Sequence, residues 1–380
     1  MRYLGGKRRK RARTVVSGGG SAALPARLPP FRARPPWWGG HLQTVRNIVL
    51  RDAPRLEAWP MTRFRVPLAG GDTLLGALHH PHGGNRGPLI VLIHGLTGCE
   101  ASAYMRFSAQ VFLSAGNPVL RLNLRGAGPS RVTSRGLYHA GRTDDIEAVF
   151  AALPADDTAG GVVAIGYSMG ANILLRYMAE GGAGIDAGIA VSAPIDLAMA
   201  AQRFHHPANL AYRAWLLARV RKEAEGAKLP PALHAAAARA RSFYAFDDDV
   251  IAPLFGFTSS ADYYSQASAL PVLDRITRPV MLVHAKDDPW VPAAMYGHVD
   301  WCGLPRLTLC LPSGGGHVGF HDIAEPPAWH DRAALAFLAE LGLAARAGAP
   351  ATALGAPRLG AAKPAATAAP EQATHPDTTG

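Results

Sequence analysis

Residues 162–175 read Val-Val-Ala-Ile-Gly-Tyr-Ser-Met-Gly-Ala-Asn-Ile-Leu-Leu, and this stretch decides the fold. An apolar run with β-branched residues leads into Gly-x-Ser-x-Gly, and a run suited to a helix follows at once. This order is typical of a nucleophile elbow, in which a sharp strand-to-helix turn holds a serine hydroxyl at the carboxyl edge of a sheet. Gly166 and Gly170 leave room for the turn. The helix behind Ser168 is expected to direct the positive end of its dipole toward the hydroxyl.

The five-residue motif is weak evidence by itself. A chain with 41 glycines contains such a pattern by chance rather often. The alternative is a glycine-rich strand–helix turn with an ordinary serine in it. The surrounding sequence has to distinguish between the two.

Strand-like and helix-like segments alternate on both sides of Ser168. Residues 89–93 form a continuous apolar run, which is typical of a strand buried on both faces. The order of the segments predicts an α/β fold with a mostly parallel, doubly wound sheet. The other predicted strands are 63–67 and 73–79 (a hairpin), 119–124, 187–192, 279–284 and 307–311, and the predicted helices are 101–115, 143–153 and 329–343.

Residues 196–270 interrupt the alternation, because they contain many helix-forming residues and no strong buried strand. Residues 211–225 and 231–246 read as helices. The interruption falls between two predicted strands, above the edge where Ser168 would lie. We therefore predict a helical cap that shapes access of the substrate.

The formal net charge of +11 belongs to the ends of the chain. Residues 1–34 hold ten Lys or Arg and no acid, and residues 343–380 carry a net charge of +1, so residues 35–342 are close to neutral. Both ends lack the apolar residues of a core and are predicted to be disordered tails. A basic tail is able to touch nucleic acid or anionic lipid, but the simpler interpretation is a solvated extension, and we expect no nucleic-acid partner.

Several other classes of protein are disfavoured. The sequence shows neither a transmembrane stretch nor a signal peptide, so a cytoplasmic location is expected, with peripheral membrane contact left open. The cysteines Cys99, Cys302 and Cys310 suggest inert thiols in a reducing compartment. No Cys/His cluster has metal-ligand spacing, and no cofactor is expected. The oligomeric state is not indicated.

The partners that a nucleophilic serine needs follow in the right order. A serine hydroxyl requires a histidine to take its proton and an acid to orient that histidine, and on such a sheet they follow as Ser, acid, His. His317 follows a predicted strand in a glycine-rich loop, whereas His284 lies within a strand and is expected to be packed. The acid is Asp288 or its neighbour Asp287. The Val-Pro pair that follows favours Asp288, and Asp287 is the second choice.

The turn after the strand at 89–93 reads His-Gly-Leu-Thr-Gly over residues 94–98. This is where the fold supplies one oxyanion donor, the other being the amide of the residue after the nucleophile. We assign the backbone amides of Leu96 and Met169 to these positions. Each such donor is worth a few kcal/mol of transition-state stabilisation.

The assembled motifs resemble an α/β-hydrolase of the AB hydrolase 4 family, the bacterial YheT-like hydrolases and their eukaryotic ABHD-type relatives. The resemblance spans about residues 35–342. The most specific motifs are His-Leu-Gln-Thr at 41–44 and Gly-Gly-His-Val-Gly-Phe at 315–320. The resemblance implies a carboxylic ester hydrolase in lipid metabolism, with relatives that act on acylglycerols, phospholipids or short-chain esters. It implies a triad of Ser168, an Asp at 287 or 288, and His317, and it usually puts the acid on the first aspartate of the pair. Both aspartates therefore stay open.

Other residues in these motifs have structural interpretations. His41 and Gln43 are expected to organise the N-terminal segment, and Arg125 to hold the loop after its strand. Asp247–Asp249 are expected to form hydrogen bonds between cap and core. Six aromatic cap residues favour an apolar acyl group: Phe204, Trp215, Phe243, Tyr244, Phe255 and Phe257.

Three functional hypotheses follow. The first is a serine hydrolase that cleaves short- to medium-chain or acylglycerol-type esters through an acyl-enzyme. The second is an acyltransferase that uses the same triad. The third is a non-catalytic binding protein on the same fold, which a complete set of triad residues disfavours because a scaffold has no need of them.

Overall fold

The structure is a computed structural model that describes residues 28, 30–49, 53–324 and 328–345 of the chain. Most of the predicted tails, 1–34 and 343–380, lies outside the described residues. Within the described ranges, no helix combines the length and apolarity needed to cross a bilayer.

Eight described strands form one sheet in the order β1-β2-β4-β3-β5-β6-β7-β8. The pairs β1–β2 and β2–β4 are antiparallel, and every pair from β4 to β8 is parallel. The predicted α/β fold with a mostly parallel sheet is thus confirmed. The strands are β1 (Met61–Pro67), β2 (Thr73–His79), β3 (Leu89–Ile93), β4 (Val119–Leu122), β5 (Val162–Tyr167), β6 (Ala187–Val191), β7 (Val280–Val283) and β8 (Leu307–Cys310).

Helices cover both faces of the sheet. The described α-helices are α1 (Gly40–Val49), α2 (Ala103–Ser114), α3 (Asp144–Ala151), α4 (Ala155–Thr158), α5 (Met169–Ala179), α6 (Leu197–Phe204), α7 (Leu210–Glu225), α8 (Pro231–Arg239), α9 (Phe243–Phe246), α10 (Ala252–Phe255), α11 (Ser260–Ala267), α12 (Ala294–Gly297) and α13 (Trp329–Glu340). Short 3-10 turns lie at Gly128–Arg131, Pro207–Asn209, Leu270–Arg275 and Trp301–Gly303, and a π-helical turn at Asp247–Ile251.

The buried strand β3 shows why a continuous apolar run is needed. Successive side chains of a strand point to opposite faces. Ile90 and Leu92 accordingly pack in one apolar cluster with α2 and α13, while Val91 and Ile93 pack in the other with α3 and α5. Every residue of β3 is buried, and the sheet separates two apolar cores.

The insertion between β6 and β7 is helical, as the sequence suggested, but one predicted helix is broken. The expected helix 231–246 ends at Arg239, and α9 starts after Ser242, whose hydroxyl accepts a hydrogen bond from the amide of Ala245 at 3.1 Å. Ala240 has an extended conformation, with ψ of 128°. The serine thus caps a new helix.

Residues 31–34, assigned above to the disordered tail, are part of the folded body, so the tail boundary was wrong. The Arg34 amide donates to the carbonyl of His321 at 3.1 Å, and the Ile323 amide donates to the carbonyl of Arg32 at 2.9 Å. The Phe31 ring meets Phe320 edge-on, with centroids 6.4 Å apart. An apolar anchor among basic residues keeps this segment on the core.

Candidate active site

The turn after β5 holds Ser168 in a strained backbone conformation. Its φ is +52° and its ψ −122°, a region that non-glycine residues rarely occupy. A side chain at position 170 would collide with the backbone of Ile93 and His94. Ser168 therefore stands at the carboxyl edge of the sheet, at the N-terminus of α5.

Ser168, His317 and Asp288 form an unbroken hydrogen-bonded line. The Nε2 atom of His317 lies 2.8 Å from the Oγ of Ser168, and its Nδ1 lies 2.8 Å from Oδ2 of Asp288. The second carboxylate oxygen of Asp288 accepts the amides of Trp290 at 2.8 Å and Val291 at 3.0 Å. The carboxylate is thus fully engaged, and it fixes the ring orientation of His317.

The electrostatics of Asp288 suit an ionised orienting group. Burial by itself raises the pKa of this carboxyl, but attraction to His317, the hydrogen bond between them and the proximity of His284 outweigh it, so the pKa lies below its ordinary value. The carboxyl is therefore charged at neutral pH.

Asp287 points elsewhere. Its Oδ1 accepts the amide of Gly316 at 2.9 Å and so fastens the loop that carries His317. Burial raises the pKa of Asp287. Of the two aspartates, the structure therefore brings Asp288, favoured by the Val-Pro spacing, into contact with the imidazole.

His284 is packed, as expected, although it lies one residue beyond the end of β7 rather than within the strand. It is fully buried, its Nε2 lies 3.1 Å from the carbonyl of Val291, and its ring stacks on Tyr296 with centroids 4.5 Å apart. Burial lowers its pKa to about 4. It is a neutral, packed residue near Asp288.

Helix α1 supports the histidine loop, a role that the sequence analysis did not assign to Thr44. The Thr44 hydroxyl accepts the amide of His317 at 2.8 Å and donates to the carbonyl of Gly40 at 2.7 Å. Gln43 exchanges hydrogen bonds with the backbone of His321, at 2.7 Å and 3.0 Å. The structural role expected for Gln43 is confirmed, and the second half of the His-Leu-Gln-Thr motif, Gln43 and Thr44, holds the histidine loop.

The residues predicted to supply the oxyanion hole belong to two segments that meet at Ser168. Met169 follows Ser168 at the start of α5, and a side chain at position 95 would meet the Cβ of Ser168 at 2.9 Å, so the 94–98 turn passes close to Ser168. Among the described residues, neither the Leu96 nor the Met169 amide has a protein acceptor. Both donors are available to a substrate oxygen.

The turn that carries Leu96 is held from two sides. The His94 Nε2 accepts the amide of Leu124 at 3.1 Å. Arg219, from the cap helix α7, donates to the hydroxyl of Thr97 at 3.0 Å and to its carbonyl at 2.9 Å. Thr97 has a positive φ of 57°. No motif in the sequence marks Arg219, because the contact depends on how α7 lies over the core.

A cavity of about 520 Å³ opens at the serine between core and cap. Ser168, His317 and the 95–98 turn form its floor. Of the six aromatic cap residues named above, Phe204, Trp215 and Phe243 line it, whereas Tyr244, Phe255 and Phe257 do not. Apolar cap residues dominate the remaining wall: Leu197, Ala200, Ala201, Leu216, Val220, Phe246 and Ile251.

Arg125 and the acidic cap residues have structural partners. Arg125 is buried in ion pairs with Asp72 and Asp145, as expected. Asp247 accepts the Tyr264 hydroxyl at 2.6 Å, and Asp248 accepts the amide of Ser260 at 2.5 Å. These bonds lie within the insertion, so the expected cap–core bonding was wrong. In the described ranges, no three His, Cys, Asp or Glu side chains are placed to share a metal ion.

Buried titratable groups make stability depend on pH. Burial is the largest cause of the low pKa values of five histidines. The pKa is lowered to about 3 for His321. It is lowered to about 4 for His79, His94, His139 and His284. These rings are neutral in the folded protein at pH 5, whereas the unfolded chain protonates them below about pH 6.5. Burial has the opposite effect on two acids, raising the pKa of Glu223 and Asp247 to about 7.

We expect the free energy of unfolding to fall as the pH is lowered from 7 to 5. The histidines outnumber the two acids, so the unfolded chain binds about three more protons than the fold at pH 5. Urea titrations at pH 7, 6 and 5 measure the effect. Glu223→Gln removes one opposing group and is expected to steepen the loss. Equal stability at the three pH values contradicts this expectation.

The chain is similar in sequence to known proteins. Residues 88–323 match the sequence model of a family described as alpha/beta hydrolase fold. A YheT protein of Escherichia coli (strain K12), whose name classes it with the esterases, is 29% identical over 288 residues, 74% of this chain and 84% of that protein. A monoacylglycerol lipase of Saccharomyces cerevisiae is 28% identical over 268 residues, 66% of this chain and 59% of that protein.

The fold has counterparts among solved structures. A Pyrococcus furiosus esterase, Pf2001, superposes with a TM-score of 0.52 at 19% identity, over 76% of this chain and 99% of that one. At this level of identity the likeness concerns the fold alone.

Proposed function

Since this chain belongs to the alpha/beta hydrolase fold family, we propose that it is a carboxylic ester hydrolase whose nucleophile is Ser168. The observation that carries the proposal is the Ser168–His317–Asp288 line, with two contacts of 2.8 Å, at the floor of a largely apolar cavity. Such a line gives a serine hydroxyl both a base and an orienting acid.

The first half of the reaction forms an acyl-enzyme. The Oγ of Ser168 attacks the ester carbonyl carbon while Nε2 of His317 takes the hydroxyl proton. Negative charge moves to the carbonyl oxygen, which accepts hydrogen bonds from the amides of Leu96 and Met169. His317 then returns its proton to the leaving alkoxide, and the carbon–oxygen bond of the ester breaks.

The second half repeats these steps with water. His317 takes a proton from water, the resulting hydroxide attacks the acyl carbon, and the proton returns to Ser168 as the acid departs. Asp288 stays ionised throughout and stabilises the imidazolium that forms at each stage. Arg219 steadies Thr97 and thereby the adjacent oxyanion donor, Leu96.

The wall of the cavity favours an acyl group of medium length, on a simple ester or an acylglycerol-type lipid. Each buried methylene contributes about 0.8 kcal/mol, so an octanoyl chain binds better than an acetyl chain. A volume of about 520 Å³ lies within the range typical of small-ligand sites, and it limits the benefit of longer chains.

We therefore expect kcat/KM on p-nitrophenyl octanoate to exceed that on the acetate by about tenfold or more, and to fall again for the palmitate. Turnover of an ester series measures this. Ala201→Phe places a ring in the cavity and shifts the optimum to shorter chains, while retained acetate turnover reports an intact fold. A flat profile contradicts the acyl assignment. Supplying ethanol and finding ethyl esters as the main product would assign acyl transfer instead.

A further inference from the structure

Helix α1 is turned with its polar side inward. Gln43 and Thr44 are buried and hydrogen-bonded to the histidine loop. Its large apolar side chains point outward, with Leu42, Ile48 and Val49 exposed to 44%, 39% and 63%. A surface helix normally buries its apolar side and exposes its polar side. The outward apolar face of α1 is therefore suited to contact with another molecule.

The apolar face continues onto the cap. His41 of α1 and Tyr212 of α7 stack in parallel, with ring centroids 5.7 Å apart, and Nδ1 lies 3.1 Å from the tyrosine hydroxyl. Beside this contact, six of the ten large apolar side chains exposed in the described ranges form what we name the α1–α7 surface. They are Trp38, Leu42, Ile48, Val49, Leu210 and Trp215.

This surface adjoins the entrance to the cavity. Ile48 and Trp215 belong to it and also line the space above Ser168. A molecule that covers the α1–α7 surface is therefore in contact with the entrance to the proposed active site.

The charge of the two segments that carry the α1–α7 surface indicates which kind of partner fits it. Residues 30–49 and 204–225, which include all of α1 and α7, contain seven Arg or Lys and two acids, Glu223 and Glu225. A second copy docked on this face would bring two basic surfaces together. An apolar helical face bordered by cations is instead suited to a bilayer with anionic headgroups, where the apolar side chains enter the acyl boundary and the cations meet phosphates.

We propose that the α1–α7 surface docks this protein on anionic lipid bilayers. The docking is independent of catalysis, and only its purpose, the transfer of a lipid ester into the cavity, rests on the proposed function. The lipid ester would pass from the bilayer into the cavity through the entrance lined by Ile48 and Trp215.

The test is partition of the full chain onto vesicles of ether-linked phosphatidylcholine, with and without a quarter of phosphatidylglycerol. Ether links prevent hydrolysis. The test variant is Leu42→Ser with Val49→Ser, neither of which lines the cavity. The matched control is Met61→Ser with Val132→Ser, which removes two apolar side chains exposed to 48% and 87% outside the surface.

We expect the wild type and the control to bind the anionic vesicles, and the test variant to lose about tenfold or more in partition coefficient, because two apolar side chains no longer enter the bilayer. Unchanged binding by the test variant would assign lipid contact to another part of the chain, such as the basic residues 1–27, and overturn the proposal. A dimer that the test variant dissociates, with no vesicle binding by the wild type, also overturns it.

Turnover of p-nitrophenyl acetate in solution is measured on every variant. Retained turnover in the test variant shows that the fold is intact, so that its loss of vesicle binding supports the docking surface. If no protein turns over the ester, while the wild type and the control bind the vesicles and the test variant does not, the proposed function fails and the docking surface is still supported.

Discussion

Replacing Ser168 with alanine is expected to lower kcat/KM on p-nitrophenyl butyrate by about ten-thousandfold to a millionfold. The change removes the oxygen that lies 2.8 Å from Nε2 of His317 and would form the acyl bond. The oxyanion donors and the cavity are retained, so substrate binding should change little. Initial rates in buffer, corrected for spontaneous hydrolysis, measure the effect.

Ser192 provides a matched control on the neighbouring strand end. It is buried, has a similar positive φ of 53°, and its hydroxyl accepts the amide of Val318 at 3.2 Å. Ser192→Ala removes one neutral hydrogen bond and is expected to cost less than about tenfold. Comparable losses in the two variants would mean that the strand ends tolerate no change at all, and the assignment of the nucleophile would lose its support.

The second large effect concerns the paired aspartates. Asp288→Asn is expected to lower kcat by about a thousandfold to ten-thousandfold, because an amide supplies no charge to stabilise the imidazolium and does not enforce the required tautomer of His317. Asp287→Asn keeps an oxygen for the amide of Gly316 and is expected to cost less than about tenfold.

The two variants change adjacent residues in the same way, so each controls for the other. Both proteins should unfold near the wild-type temperature if the loop is intact, and a melt by circular dichroism checks this. The reverse order of effects, with Asp287→Asn the more damaging, would show that the acid changes partners during turnover and would refute the role of Asp288.

The sheet could be predicted because its signal is local. Parallel strands buried on both faces require continuous apolar runs such as residues 89–93, and every predicted strand is present with small differences at its ends. The positions of Ser168 and His317 follow from the same rule, since functional residues on such sheets gather where the parallel strands end.

Other features depend on contacts that no local pattern encodes. Asp287 and Asp288 are neighbours, and only the path of the turn decides which carboxylate faces the imidazole. Arg219 reaches Thr97 across the boundary between cap and core. The outward apolar face of α1 contradicts the usual rule for surface helices, because its polar residues are needed to hold the loop that carries His317.

The most direct test of a catalytic Ser168 is peptide mapping by mass spectrometry after reaction with a fluorophosphonate, on the wild type and on His317→Gln. We expect one phosphonyl group on Ser168 in the wild type and labelling slowed by about a thousandfold or more in the variant, which lacks the base. Labelling at another residue, or no labelling of the folded wild type, would contradict a catalytic Ser168.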